Sequence, residues 1–254
     1  MGYWALLLFR ANLFLGLSLP SRRFSIRFIL LSIMHPLPDE LSPSKKTVQI
    51  DYQASYCTWG TLGPATQRIW VACHGYGQLA GYFIKKFARL DPAAHYVIAP
   101  QGLSKHYLAG FAGRVGAVWM TREDRLIEIA NYLTYLDKVW HTETAGVGLS
   151  DKEIYCLGFS QGASTICRWV AHAHLPYTKL ILWAGEMPPD VLAQLPQTFI
   201  PHRDLVYVHG DQDELIKPGE VEKQLGLLAG HGLYPQMIRY TGSHSLDAGV
   251  VASL

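Results

Sequence analysis

Ser160 stands in the run Gly158-Phe159-Ser160-Gln161-Gly162, which directly follows the apolar segment Ile154-Tyr155-Cys156-Leu157. A serine two residues from a glycine on either side, leaving a buried-strand pattern and entering a helical one, can be pushed out on a sharp turn as a nucleophile. A serine hydroxyl attacks only if a base takes its proton and an acid orients that base. His244 is the candidate base, on the glycine-containing segment Thr241-Gly242-Ser243-His244 after the strand-like run Met237–Tyr240. The candidate acid lies in His209-Gly210-Asp211-Gln212-Asp213-Glu214, at the end of the buried run Leu205–Val208. Asp213 has the longer reach along that loop. Asp211 is expected to start the turn by bonding its own backbone, and Glu214 and Asp204 are expected to be solvated.

Acyl chemistry also needs donors for the negative oxygen of a tetrahedral intermediate. The backbone N–H of Gln161, directly after the nucleophile, is one candidate. The second is the N–H of Tyr76 in His74-Gly75-Tyr76-Gly77-Gln78, where the flanking glycines let the chain turn an amide inward. His74 is expected to brace this loop and to take no part in the chemistry. Phe111, Trp119 and Met120, in the glycine- and aromatic-rich stretch up to Met120, are candidates for an acyl-binding surface.

These residues need a frame. Short apolar runs at Arg68–Cys73, Tyr96–Ala99, Ile154–Leu157, Lys179–Trp183, Leu205–Val208 and Met237–Tyr240 read as buried strands. Between them Ala80–Phe87, Leu126–Trp140, Ala163–Ala171 and Pro218–Ala229 carry apolar residues at helical spacing, and Asp247–Leu254 is a short last helix. In the helix after Ser160, residues Ala163, Ile166, Cys167, Val170 and Ala171 fall on one face, with Arg168 and His172 placed off it. Thr121–Asp124 reads as a capping box for the long helix, Thr47–Trp59 as antiparallel edge strands, and 103–120 as a loop. Alternating strands and helices imply a mostly parallel sheet covered on both faces. The short interval between Trp183 and Leu205 leaves no room for a large helical cap.

The motifs His74-Gly75-Tyr76-Gly77, Gly158-Phe159-Ser160-Gln161-Gly162, His209-Gly210-Asp211-Gln212-Asp213 and Gly242-Ser243-His244, in that order, resemble the α/β-hydrolases of the phospholipase/carboxylesterase group, which includes the acyl-protein thioesterases. The resemblance implies an α/β-hydrolase fold with a minimal cap and a triad of Ser160, Asp213 and His244. It implies no cofactor and a small ester or thioester substrate. Two positions depart from that group: Trp119-Met120-Thr121 replaces a Trp-Phe-Asp tract, and Gln78 stands where an aspartate is usual. An uncapped site admits soluble esters, so a carboxylesterase for short to medium acyl chains is the first expectation. An acyl-protein thioesterase or lysophospholipase is the second. A catalytically silent binding protein on the same fold is an expectation of another class.

Composition sets further bounds. The chain of 254 residues, 49% of them hydrophobic, can bury one large core. Its four cysteines, Cys57, Cys73, Cys156 and Cys167, show no paired spacing, which fits thiols in a reducing, cytoplasmic setting. No His/Cys cluster has metal-ligand spacing. Residues 1–46 differ from the rest, with two apolar runs separated by arginines and no acid before Asp39. They read as an amino-terminal extension to a domain over 47–254, with Met34 a candidate start and membrane association conceivable only through residues 1–33. Without the four arginines of 1–33 the formal charge moves from +2 to −2, so the basic balance gives no reason to expect nucleic acid.

Overall fold

In the computed structural model the described residues are 43–194 and 204–254. The chain divides into two units, 1–50 and 51–254. Of the first, residues 43–50 are irregular and exposed, and the expectations for the amino-terminal extension and Met34 lie outside the described residues. Among the described residues no helix is long and apolar enough to cross a membrane.

The second unit is built on a seven-stranded sheet. Its strands are β1 (Tyr56–Trp59), β2 (Arg68–Cys73), β3 (His95–Pro100), β6 (Glu153–Phe159), β7 (Lys179–Trp183), β8 (Asp204–Gly210) and β9 (Gln236–Tyr240), in the order β1-β3-β2-β6-β7-β8-β9. Only β1 runs antiparallel, against β3, and all other pairs are parallel. The central strands read as continuous apolar runs because both of their faces are buried. Ile69, Val71 and Cys73 point into one core layer, while Trp70 and Ala72 point into the other.

On the first face lie α2 (Arg125–Thr144), α3 (Gln161–Ala173), α4 (Pro189–Leu192) and α5 (Pro218–Gly230). The second face is covered by α1 (Ala80–Phe83), a 3₁₀ turn at Ile84–Phe87, and α6 (Ala248–Ser253). After β2 the chain crosses to one side of the sheet, to β3. After β6 it continues on the other side, to β7. The carboxyl ends of β2 and β6 therefore flank the point where the winding reverses, the place where such sheets leave a crevice for ligands.

Three sequence expectations are corrected. Residues 103–120 are not a plain loop, since β4 (Ser104–Tyr107) and β5 (Val115–Val118) form an antiparallel hairpin with Ser104 opposite Val118. β4 is mostly exposed and polar, so it has no apolar alternation to announce it. Of Thr47–Trp59 only Tyr56–Trp59 is a strand. No capping box forms at Thr121–Asp124: α2 begins at Arg125 after Asp124 at φ 52°, and Glu128 reaches back to the Thr121 amide and hydroxyl.

Candidate active site

Ser160 occupies the turn between β6 and α3 with φ 53° and ψ −118°, a conformation that L residues rarely adopt. Such strain costs on the order of 1–3 kcal/mol and persists only where the surroundings impose it. Here they do. The Ser160 amide donates to Trp183 O at 2.8 Å, and a Cβ on Gly158 would run into the backbone of Gly162 and Ala163. A Cβ on Gly162 would collide with the carbonyl oxygens of Cys73 and His74. Both glycines are thus required for α3 to lie against β2 and β6. Ser160 Oγ has no hydrogen-bond partner among the described residues, and Ser160 lines a cavity of about 720 Å³.

The candidate acid and base come from neighbouring strand ends, because β8 and β9 pair in parallel with Gly210 opposite Tyr240. Asp213 Oδ2 accepts from His244 Nδ1 at 2.7 Å. The carboxylate's other oxygen accepts the amides of Leu215 and Ile216, each at 2.8 Å. Burial alone would push this carboxyl up, but the Ile216 amide, His244 and the Leu215 amide together hold it below the usual carboxylate range. The His244 ring packs on Phe159, the residue before the serine, with ring centres 4.9 Å apart. Among the hydrogen bonds of the described residues none links Ser160 to His244.

Two carboxylates expected to do little hold the histidine loop instead. Asp211 does not bond its own turn. It accepts from Gly242 N at 3.1 Å and Thr241 Oγ1 at 3.3 Å, joining the β8 loop to the β9 loop. Glu214 accepts the backbone N–H of His244 at 3.3 Å. Tyr240 adds a bond to the Ser245 carbonyl. A sequence cannot reveal such pairings, since the partners are some 30 residues apart and meet only through strand pairing.

The Tyr76 and Gln161 amides have no acceptor among the described residues. Tyr76 sits at the tip of a turn closed by the Gln78 amide bonding to Gly75 O at 3.2 Å, while Gln78 Oε1 accepts the Gly75 amide at 2.9 Å. His74 braces the loop from beneath. Its Nδ1–H donates to Gly75 O at 2.8 Å and its Nε2 accepts the Gly102 amide at 3.0 Å, which requires the neutral ring. Burial lowers His74 from 6.5 to about 4, against a smaller upward pull from Gly75 O. Between those values the unfolded chain binds a proton that the folded chain refuses, so stability is lost as pH falls from 6.5 towards 4. The loss is expected to reach about 3 kcal/mol, at 1.36 kcal/mol per unit. Urea unfolding across this range should show it, and His74→Gln should flatten the slope. An equal slope in the variant would refute this account of His74.

The cavity beside Ser160 is not where the aromatic candidates lie. Phe111 is 98% exposed at the tip of the β4–β5 hairpin. Trp119 is buried behind the His74 loop, its indole donating to His74 O at 2.8 Å and its ring against the imidazole. Neither lines the cavity, whereas Met120 does. The Gln161 side chain keeps Met120 there, accepting Trp119 N at 3.0 Å and donating to Met120 O at 2.8 Å. The far wall is α5, with Glu220, Lys223, Gln224 and Leu227, and was not foreseen. The one sequence signal for it was a glutamine in the apolar stripe of that helix.

Arg168, assigned off the buried face of α3, is also buried. It grips Asp190 of α4 through two bonds, of 2.6 and 2.9 Å, and its other nitrogen approaches Tyr132 Oη and Met120 Sδ. The charge is tolerated because Asp190 meets it in bidentate geometry. The pair ties α4, which supplies Pro189 to the cavity, to the helix that carries Ser160.

Comparison with known proteins agrees with this architecture. Neither a family model nor a curated protein sequence matches the chain. Among solved structures, esterase PE8 superposes with TM-score 0.60 at 20% identity, covering 80% of this chain and 97% of that one. Acyl-protein thioesterase 2 of Zea mays gives 0.56 at 14% identity over 79% and 97% of the two chains. A Bacillus cereus carboxylesterase gives 0.53 at 15% identity over 79% and 91%. At these identities the likeness establishes the α/β-hydrolase fold.

Proposed function

We propose that this α/β-hydrolase-fold chain is a serine hydrolase of the phospholipase/carboxylesterase group, cleaving carboxylic esters of short to medium acyl chains through an acyl-enzyme on Ser160. The observation that carries it is the strained serine at φ 53°, open to a cavity and directly following Phe159, on whose ring packs a histidine oriented by a buried carboxylate. His244 takes the Ser160 proton as the hydroxyl attacks the acyl carbonyl. The Tyr76 and Gln161 amides receive the negative oxygen, each donor contributing about 3 kcal/mol in the transition state. His244 then protonates the departing alcohol, activates a water, and the acyl group leaves as an acid. All of this is done by side chains and main-chain amides, and no cofactor enters the scheme.

The setting fits a reducing, cytoplasmic compartment, since all four cysteines are free thiols and three are buried. Thioester cleavage uses the same steps with a thiol leaving group, and the thioesterase-like fold supports it as the second reading. The test is hydrolysis of p-nitrophenyl esters with acyl chains of two to sixteen carbons, run beside the matching thioesters and fluorophosphonate labelling. Labelling at Ser160 with an ester optimum at short to medium length is the expected result. Failure to label Ser160 and to turn over any chain length would leave a silent, binding protein on a hydrolase fold.

A further inference from the structure

β8 ends in His209 and Gly210, and the chain that follows carries Asp213 and runs on to Ile216. His209 is buried, with 2% of its surface exposed. Its Nε2 lies 3.1 Å from the Ile216 carbonyl oxygen, which can only accept, so the ring proton sits on Nε2. The other ring nitrogen, Nδ1, is buried with no partner among the described residues. A buried polar atom left unpaired is a standing cost of folding. Leucine or phenylalanine would occupy the place without that cost. What the imidazole supplies and they could not is the Nε2–H.

That N–H closes a ring of chain around the carboxylate. Asp213 Oδ1 accepts the Leu215 and Ile216 amides at 2.8 Å, and His209 holds the carbonyl of the same Ile216. Besides Asp213 and His209, no side chain among the described residues bonds the main chain of Leu215 or Ile216. The placing of those two amides decides where Asp213 Oδ2 meets His244 Nδ1, at 2.7 Å. His209 Nε2 is 3.9 Å from Asp213 Oδ2, too far for a bond, so its influence runs through Ile216. The earlier half of the loop is fixed differently, against the His244 segment. Gln212 N–H donates to Gly242 O at 2.9 Å, and a Cβ on Gly210 would strike Gly242 O and Ser243 O.

We infer that His209 is a positioning residue: its Nε2–H, acting through Ile216, fixes the Asp213 carboxylate in the direction that orients His244. The inference rests on the esterase reading and deepens it. A base must be held in its productive geometry by groups that are themselves held, and a small displacement of the orienting carboxylate passes directly to the imidazole.

The test measures kcat and KM on p-nitrophenyl butyrate for the wild type and for His209→Phe, His209→Leu, His209→Asn and His209→Gln. Phenylalanine and leucine should each lower kcat by about 10- to 100-fold, with KM moving far less, since His209 does not line the cavity beside Ser160. Glutamine places an amide NH₂ where Nε2–H stood and should recover most of the lost kcat. Asparagine reaches only as far as Nδ1 and should behave like leucine. A role in packing alone would not separate glutamine from asparagine in this way. In proton NMR spectra the low-field signal of the His244 Nδ1–H bonded to Asp213 should move upfield in His209→Phe and His209→Leu and return in His209→Gln. Thermal melts establish that each variant is folded, and the two apolar variants differ in volume, so a loss shared by both is not a misfit of one. Wild-type kcat in both apolar variants, a loss confined to KM, or a glutamine variant as slow as the leucine one would each overturn the inference. A wild type that labels at Ser160 and turns over ester, with variants that do the same at equal rate, sinks this inference alone. A wild type that neither labels nor turns over any ester sinks the esterase reading and this positioning role with it.

Discussion

Ser160→Ala is expected to lower kcat on p-nitrophenyl butyrate by about 10⁵- to 10⁶-fold, the loss seen when the nucleophile of such a unit is removed. The residual rate should come from the oxyanion amides and from substrate binding, neither of which involves the hydroxyl. Stability should hardly move. Alanine keeps the Cβ, so the strain at φ 53° stays, and Ser160 Oγ makes no hydrogen bond among the described residues whose loss would be felt. Ser160→Gly separates the two effects. It should be equally inactive yet melt higher, since glycine adopts this φ freely and recovers about 1 kcal/mol or more of backbone strain. Single-turnover kinetics and thermal melts on the three proteins check both statements. A Ser160→Ala protein within tenfold of wild-type activity would remove Ser160 from the chemistry.

Asp213→Asn should be nearly as damaging, with kcat down about 10⁴-fold. The reason lies in how the carboxylate is held. One oxygen is fixed by the Leu215 and Ile216 amides at 2.8 Å, and the other accepts from His244 at 2.7 Å. An asparagine must keep its oxygen towards those amides, which turns its NH₂ towards His244 Nδ1. The ring then accepts at Nδ1 and carries its proton on Nε2, the nitrogen that has to receive the serine proton. Shape is preserved while the tautomer is wrong. The substitution also removes an acid-sensitive contribution to folding. The folded Asp213 carboxyl lies below its ordinary value, so its stabilisation is present above the unfolded value of ~3.9 and lost as pH falls through the lower folded one. The variant should therefore show a shallower loss of stability in strong acid, measurable by urea unfolding beside the kinetics.

Much of the frame was legible because the strands are buried on both faces. Ile69 to Cys73 and Leu180 to Trp183 are continuous apolar runs, the pattern of strands covered on both faces. The serine turn was legible because its geometry is local: Gly158 and Gly162 are demanded by backbone atoms within a few ångströms of the elbow. The β4–β5 hairpin was not, because a half-exposed ribbon with Ser, Lys and His in one strand lacks the alternation that marks a strand. Arg168 was misplaced because spacing identifies a helix face but not its width. That face extends far enough to enclose a guanidinium once Asp190 and Tyr132 arrive from other elements.

The same division runs through the site. The types and order of Ser160, Asp213 and His244, the glycines around the elbow, and the α/β layering were determined by the sequence, since each follows from local backbone limits or from burial of apolar runs. Which residues stand around the serine was decided only by the tertiary structure. Phe111 and Trp119 are near Met120 in the chain, yet one projects into solvent and the other sits behind the His74–Gln78 loop, while Gln224, 64 residues after Ser160, lines its cavity. Distance along the chain carries no information about distance across a crevice, because the crevice is assembled from the ends of strands that pair in an order different from their order in sequence.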